Sequence, residues 1–262
     1  MTTPTAATTT QTTLWIWPTG LFPRRLVYYL RAKRLPHSIL ATHNMTLIPA
    51  TINPKIGLVS TGSHEERPAG TSLPFLRLQK PGEEPFYIYE SMAIMEYFED
   101  LFASEGGYPD LRGNTLEQRA RTRDVLSLLA DATFWQGLSL MHGDASTLSW
   151  SGMTADQMSA TAAQDARARH YRLLSKLEKW VGDGIVKKGW RSISGEGVEV
   201  SLADLVLMTA IQYAEESYGQ DWIEEHGALR VWCERAKGEA WFVEREELER
   251  CEKEGFEGLF VG

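Results

Sequence analysis

Two short segments of the chain carry residue types that can hold a small polar ligand. The first is Leu73-Pro74, directly ahead of the apolar run Phe75-Leu76-Arg77-Leu78. Proline is the one residue for which a cis peptide costs only about 0.5–1 kcal/mol. A cis bond here would turn the N–H and C=O of Leu73 outward, free for a ligand. The second is Glu90-Ser91, at the end of Phe86-Tyr87-Ile88-Tyr89 and the start of an amphipathic stretch. A helix start offers unpaired N–H groups and a partial positive charge, which suit a carboxylate, and Glu90 beside it can pair with an ammonium. Carboxylate and ammonium on one carbon describe the head of an α-amino acid. Each segment also has a plainer role, Leu73-Pro74 as the end of a loop and Ser91 as an N-cap.

The elements that must position these segments follow from pattern. Leu14-Trp15-Ile16-Trp17 is a short apolar run closed by Pro18-Thr19-Gly20, as for a strand and a turn. Pro23 suits a helix start, and Leu26, Tyr29 and Leu30 mark one face of a helix running to Arg34. Ser38 to Thr42 is expected as a second strand. Residues 53–72 are expected to form a long loop. Two strands around Pro81-Gly82 then make a hairpin, and Ser91 opens an amphipathic helix with Ile94, Tyr97, Phe98 and Leu101 on one side. Residues 103–114 are expected as a linker.

Beyond that linker only helices are expected, over residues 115–142, 154–181, 201–217 and 221–237, with another near 240–251. Thr115 with Gln118 and Thr154 with Gln157 match capping boxes, and Ser201 with Asp204 is a related arrangement. The domains are therefore expected as a disordered tail over 1–13, an α/β domain over 14–102, the linker, and an all-α domain over 115–262.

Composition narrows the function. The chain has 262 residues, 43% hydrophobic and 24% charged, which suits two globular domains. A net charge of -8 without a basic stripe argues against binding nucleic acid or an anionic membrane. No run is apolar for the roughly 18 residues a membrane span needs. Cys233 and Cys251 form no C-x-x-C, and the six histidines show no metal-ligand spacing, so no metal site is expected. The scarcity of cysteine fits a reducing compartment, and a cytoplasmic location is expected.

Taken together and in order, these motifs resemble the glutathione transferase superfamily, in a divergent, fungal-type form. Leu73-Pro74 resembles the family's strand-preceding cis-proline, and Glu90-Ser91-Met92-Ala93-Ile94 its acid-serine pair. Asn53-Pro54 resembles the Asn-Pro ahead of that strand, and Ser201-Leu202-Ala203-Asp204 the Ser/Thr-x-x-Asp box of its buried core helix. The resemblance spans about residues 14–250. It implies a thioredoxin-like domain followed by an all-helical domain, glutathione as cofactor held by Leu73, Pro74, Glu90 and Ser91, and a homodimer. It implies an enzyme that sets the glutathione thiolate on a hydrophobic electrophile, by conjugation or by reversible addition that isomerises a double bond. A non-catalytic interaction module is the rival reading.

Two departures stand out. The loop before Leu73 is enlarged where the family has a short helix on glutathione's cysteinyl and glycyl parts. At the catalytic position, where the family places Tyr, Ser or Cys, the chain reads Trp17-Pro18-Thr19-Gly20-Leu21-Phe22-Pro23-Arg24. Thr19 is its one hydroxyl. A hydrogen bond to an anion is worth roughly 1.5–3 kcal/mol, and lowering a thiol's pKa by two units takes about 2.7 kcal/mol. Thr19 is therefore either the activating group or a turn residue, and Arg24 either a second catalytic candidate or a solvated arginine. The substrate is expected between the two domains, over the first helix of the second, where Phe134, Trp135 and Met141 are candidate lining residues together with Tyr213 of the core helix, and Trp150 lies in the following connection.

Overall fold

The computed structural model describes residues 10–53, 55–103 and 106–261. They divide into two compact units, Met1–Asp110 with Ala240–Gly262, and Leu111–Glu239.

The first unit is built on β1 (Gln11–Ile16), α1 (Arg24–Lys33), α2 (Ser38–Thr42), β2 (Met45–Asn53), β3 (Gly57–Ser60), β4 (Phe75–Gln79), β5 (Phe86–Ile88) and α3 (Ser91–Ala103). The sheet order is β3-β2-β1-β4-β5. β1 and β2 are parallel, from Thr12 opposite Met45 to Ile16 opposite Pro49, and α1 makes the crossover between them. The other pairs are antiparallel. β1 is central, and Leu14, Trp15 and Ile16 are fully buried, as an apolar run inside a sheet covered on both faces must be.

Three expectations change here. Strand β1 starts at Gln11, because Thr12 and Thr13 are buried β-branched strand residues and not part of a tail; the first nine residues of that expected tail lie outside the described residues. Ser38–Thr42 is a short helix, and the strand is Met45–Asn53. Pro49 inside that strand masks it in the sequence, yet its carbonyl still accepts from both the N–H and the hydroxyl of Thr61. The long loop contains β3, an added strand at the sheet edge. The remainder, 61–72, is tied down by Arg67, which donates to the carbonyls of Leu58 (2.9 Å) and Thr71 (2.6 Å), and by Glu65. The Glu65 carbonyl accepts from Trp15 Nε1 at 3.1 Å and its carboxylate pairs with Arg77 at 2.6 Å.

Helix α1 pairs with α3 in a constant register. Arg25 meets Ser91 and Lys33 meets Glu99, each pair 66 residues apart, so the helices run parallel. Lys33 Nζ donates to both Glu99 oxygens at 2.9 Å and to the Pro109 carbonyl at 2.8 Å, a buried ion pair whose remaining proton is satisfied.

The second unit comprises α4 (Leu116–Gly143), α5 (Leu148–Ser151), α6 (Ala160–Lys188), α7 (Leu202–Tyr218) and α8 (Gly227–Lys237). The Thr115-Gln118 box opens α4. The Thr154-Gln157 box forms too, but it opens only the 3-10 turn Ala155–Gln157; α6 starts later, where Ser159 accepts from the Ala162 N–H. The expected start at 221 likewise moves to Gly227. α7 is buried nearly all round, and Asp204 at its start accepts from Ile193 N (2.9 Å), Ser201 N (2.8 Å), Trp232 Nε1 (3.1 Å) and the hydroxyls of Ser192 and Ser201.

The C-terminal segment, expected to close the all-α domain, belongs instead to the first unit. It carries α9 (Arg245–Glu254). The Tyr28 hydroxyl donates to the Val243 carbonyl at 3.0 Å, Arg31 pairs with Glu247, and the Val261 N–H donates to the Leu35 carbonyl at 3.0 Å.

Candidate functional site

Glu90-Ser91, the segment expected to hold an amino-acid head, lies where α3 begins. The Ile94 N–H donates to the Glu90 carbonyl at 3.0 Å, so Glu90 takes the cap position and Ser91 is the first helical residue. Ser91 is buried and Glu90 is exposed. Arg25 of α1 reaches across, its Nη1 donating to Ser91 Oγ at 3.3 Å. Burial pushes the Arg25 guanidinium down to about 10, against the stabilising charge of Glu90. This cation was not anticipated from the sequence. Its signal is the helical spacing from Tyr29, one turn on, whose ring lies 5.9 Å from Phe98 of α3.

Arg25 settles what Ser91 can do. A hydroxyl has one proton to give. Since Ser91 Oγ accepts from a guanidinium, its own proton is available to an acceptor beyond it. A carboxylate there would meet the hydroxyl, the helix start and a desolvated cation together.

The Leu73-Pro74 peptide is cis, as expected. The Leu73 side chain packs with Trp15, Ile48, Ala50 and Phe75. Its backbone N–H and C=O have no hydrogen-bond partner among the described residues. Asn53 ends β2 and its side chain accepts from the Lys55 N–H at 2.9 Å; Pro54 lies outside the described residues.

The turn after β1 presents Thr19. Gly20 has room only for hydrogen, since a Cβ there would meet the Trp17 ring at 2.4 Å. Arg24 is buried and not solvated, with Nη2 donating to the Thr19 carbonyl at 2.8 Å, so it fixes the turn from below. The Thr19 hydroxyl does not stand open. It donates to Glu252 Oε2 of α9 at 2.6 Å, and the Thr51 hydroxyl of β2 donates to Glu252 Oε1. Neither Thr51 nor Glu252 was foreseen, because nothing in the sequence places α9 beside the ends of β1 and β2.

The expected substrate residues all lie in the second unit. Phe134 is 63% exposed and stands edge-on to Trp135 at 5.3 Å, with the Arg169 guanidinium 4.7 Å over the Trp135 ring. Tyr213 packs against Tyr218 at 6.0 Å, Met141 is half-buried, and Trp150 is exposed. Two cavities within this unit, of about 520 and 300 Å³, are lined by groups such as Gln136, His170, Asp221 and Glu234, and none of the four candidates lines either.

The mixed sheet with a cis-proline ahead of β4, the helix start at Ser91 and the long helices of the second unit are the features of the glutathione transferase fold. The chain aligns over 95% of its length with all of a class Gtt2 glutathione S-transferase from Vibrio parahaemolyticus, at a TM-score of 0.59 and 15% identity. It aligns over 94% of its length with 98% of maleylacetoacetate isomerase from Anaeromyxobacter dehalogenans, solved with bound glutathione, at 0.57 and 20%. Human glutathione S-transferase T1-1 matches at 0.55 and 16%, over 95% of this chain and 89% of that one. No family model matches the sequence, and no curated protein does. No described helix is long and apolar enough to cross a membrane.

Proposed function

We propose that the chain is a glutathione-dependent enzyme of the transferase superfamily, which binds the γ-glutamyl head at Glu90-Ser91 and presents the thiol to a hydrophobic electrophile. The observation that carries this reading is the buried Arg25–Ser91 contact at the start of α3. It leaves a hydroxyl proton and a cation for one carboxylate, beside an exposed acid for one ammonium. Leu73 adds an unpaired peptide of the kind that the cysteinyl backbone can pair with, as two strands do.

Conjugation is the primary reaction. Thiol addition, rotation and expulsion on a conjugated double bond is the second, supported by the likeness to a glutathione-bound maleylacetoacetate isomerase. Both reactions require the same thiolate. The pocket for the electrophile is assigned to Phe134, Trp135, Met141 and Tyr213 of the helical unit, and the active form to a homodimer, which light scattering tests directly.

Calorimetry decides the binding step. Glutathione is expected to bind, and cysteinylglycine, which lacks the γ-glutamyl head, to bind at least about tenfold more weakly, since one charge-assisted hydrogen bond is worth roughly 1.5–3 kcal/mol. No heat with glutathione, or equal affinity for the two, would remove the enzyme reading and leave a glutathione-transferase fold used as an interaction module.

A further inference from the structure

Glu252 belongs to the last helix of the chain, yet both its carboxylate oxygens are bound at the thiol end of the candidate site. Thr19, from the turn after β1, donates to Oε2 at 2.6 Å, and Thr51, near the end of β2, donates to Oε1. The position is built. α9 is fixed by the Arg31–Glu247 ion pair, the segment before it by Tyr28 on the Val243 carbonyl, and the segment after it by the backbone bonds between Val261 and residues 35 and 37.

No ion pair from the surrounding elements holds this carboxylate. On α1, Arg31 is paired with Glu247, while Arg24 donates to the Thr19 carbonyl and Arg25 to Ser91, both keeping their charge. On α9 itself, Arg250 and Lys253 flank Glu252 in sequence, and β2 carries no charge. Among the described residues no ion pair reaches Glu252.

Thr19 has one proton, and Glu252 holds it. A thiolate brought to Thr19 would find no donor there and would meet a fixed like charge. A neutral sulfur, with no charge to stabilise, would lose little.

We propose that Glu252 is an internal competitor for the thiol end of the site, so that the resting protein takes neutral, S-substituted glutathione in preference to the free thiolate. Productive binding of the thiolate then requires the Glu252 side chain to release Thr19. This inference rests on the glutathione reading above.

The test compares glutathione with S-methylglutathione by calorimetry, about one unit above the pKa of an ordinary thiol, near pH 9.5. A like charge at close range shifts a thiol by about one unit or more, which at this pH weakens glutathione about fivefold, up to a ceiling of about elevenfold where only the protonated thiol binds. The natural protein is expected to favour S-methylglutathione about five- to tenfold. Glu252→Ala should bring the two ligands within about twofold by strengthening glutathione alone. Glu252→Gln, which keeps the shape of the side chain and its seat on α9, should move the ratio the same way if the alanine variant folds poorly. Glu247→Ala loosens α9 without touching Thr19, and should keep the preference. Absence of any preference in the natural protein, or a preference that survives both Glu252 variants, overturns the competitor role while leaving glutathione binding intact. Failure of both ligands to bind any variant overturns the glutathione reading, and this inference with it.

Discussion

Replacing Arg25 with methionine isolates the contribution of its charge to ligand binding. The guanidinium is buried, donates to Ser91 Oγ at 3.3 Å and lies 4.9 Å from the Phe22 ring centroid. A ligand carboxylate accepting the Ser91 proton would sit about 2.7 Å beyond Oγ, hence roughly 6 Å from the cation. At an effective dielectric of about 20, unit charges at that distance attract by about 3 kcal/mol. Partial screening at the exposed mouth lowers this to about 1–3 kcal/mol, or roughly 5–150-fold in Kd. Methionine is unbranched and of similar length, and exchanging a buried charge for apolar volume is commonly neutral or stabilising, so the fold should survive. The assay is calorimetry with two ligands, glutathione and its analogue lacking the γ-glutamyl α-carboxylate. Arg25→Met should weaken glutathione by that factor and leave the analogue unchanged. Ser91→Ala should do the same, and the double variant should cost less than the sum, because the arginine orients the hydroxyl. Equal weakening of both ligands, or of neither, refutes the assignment of the carboxylate to this corner.

Two further outcomes concern the helical unit. Asp204→Ala strands the N–H groups of Ile193, Ser201 and Trp232 in the core, each worth about 1–3 kcal/mol, and should lower unfolding stability in urea by at least about 3 kcal/mol. Asp204→Asn should cost less, since one amide orientation strands only the Ser201 N–H; a loss under about 1 kcal/mol in the alanine variant would contradict the network. His170 is buried with Nδ1 3.0 Å from the Ala132 carbonyl, and burial pushes its pKa from 6.5 down to about 4. Between those values the unfolded chain binds the extra proton, so this contribution is whole above pH 6.5 and is lost as pH falls toward 4, by up to about 3 kcal/mol. His170→Asn keeps a donor to Ala132 and should flatten that slope in urea titrations across the window; an unchanged slope would clear His170.

Much of the architecture was legible because local pattern and final environment agree. The run Leu14–Ile16 ends buried in the middle of the sheet, and the Ser201-Asp204 box caps a helix that is buried on all sides over its first three turns. The errors fall where a residue's role is set from far along the chain. Thr12 and Thr13 look like the end of a threonine-rich tail until their partners, Met45 and Thr46, and Leu78 and Arg77, are in place. Thr154 satisfies every local rule for a long helix and opens one turn, since Ser159 takes over five residues later.

The same division runs through the site. The helix start at Glu90-Ser91 and the cis Leu73-Pro74 peptide could be read because both are backbone geometry that two adjacent residues determine. Arg25 was half legible, because only the constant 66-residue offset between α1 and α3 puts it beside Ser91 and not toward solvent. Thr19 was visible as a hydroxyl, but its state depends on Glu252, 233 residues away. The thiol end is therefore a property of how the chain's two ends pack, and not of the turn that carries Thr19. On the competitor reading, exchanging the turn for one with Ser, Cys or Tyr would not by itself strengthen thiolate binding while the Glu252 carboxylate stays between Thr51 and that turn. Release of the carboxylate is the necessary step, and the nature of the hydroxyl is secondary to it.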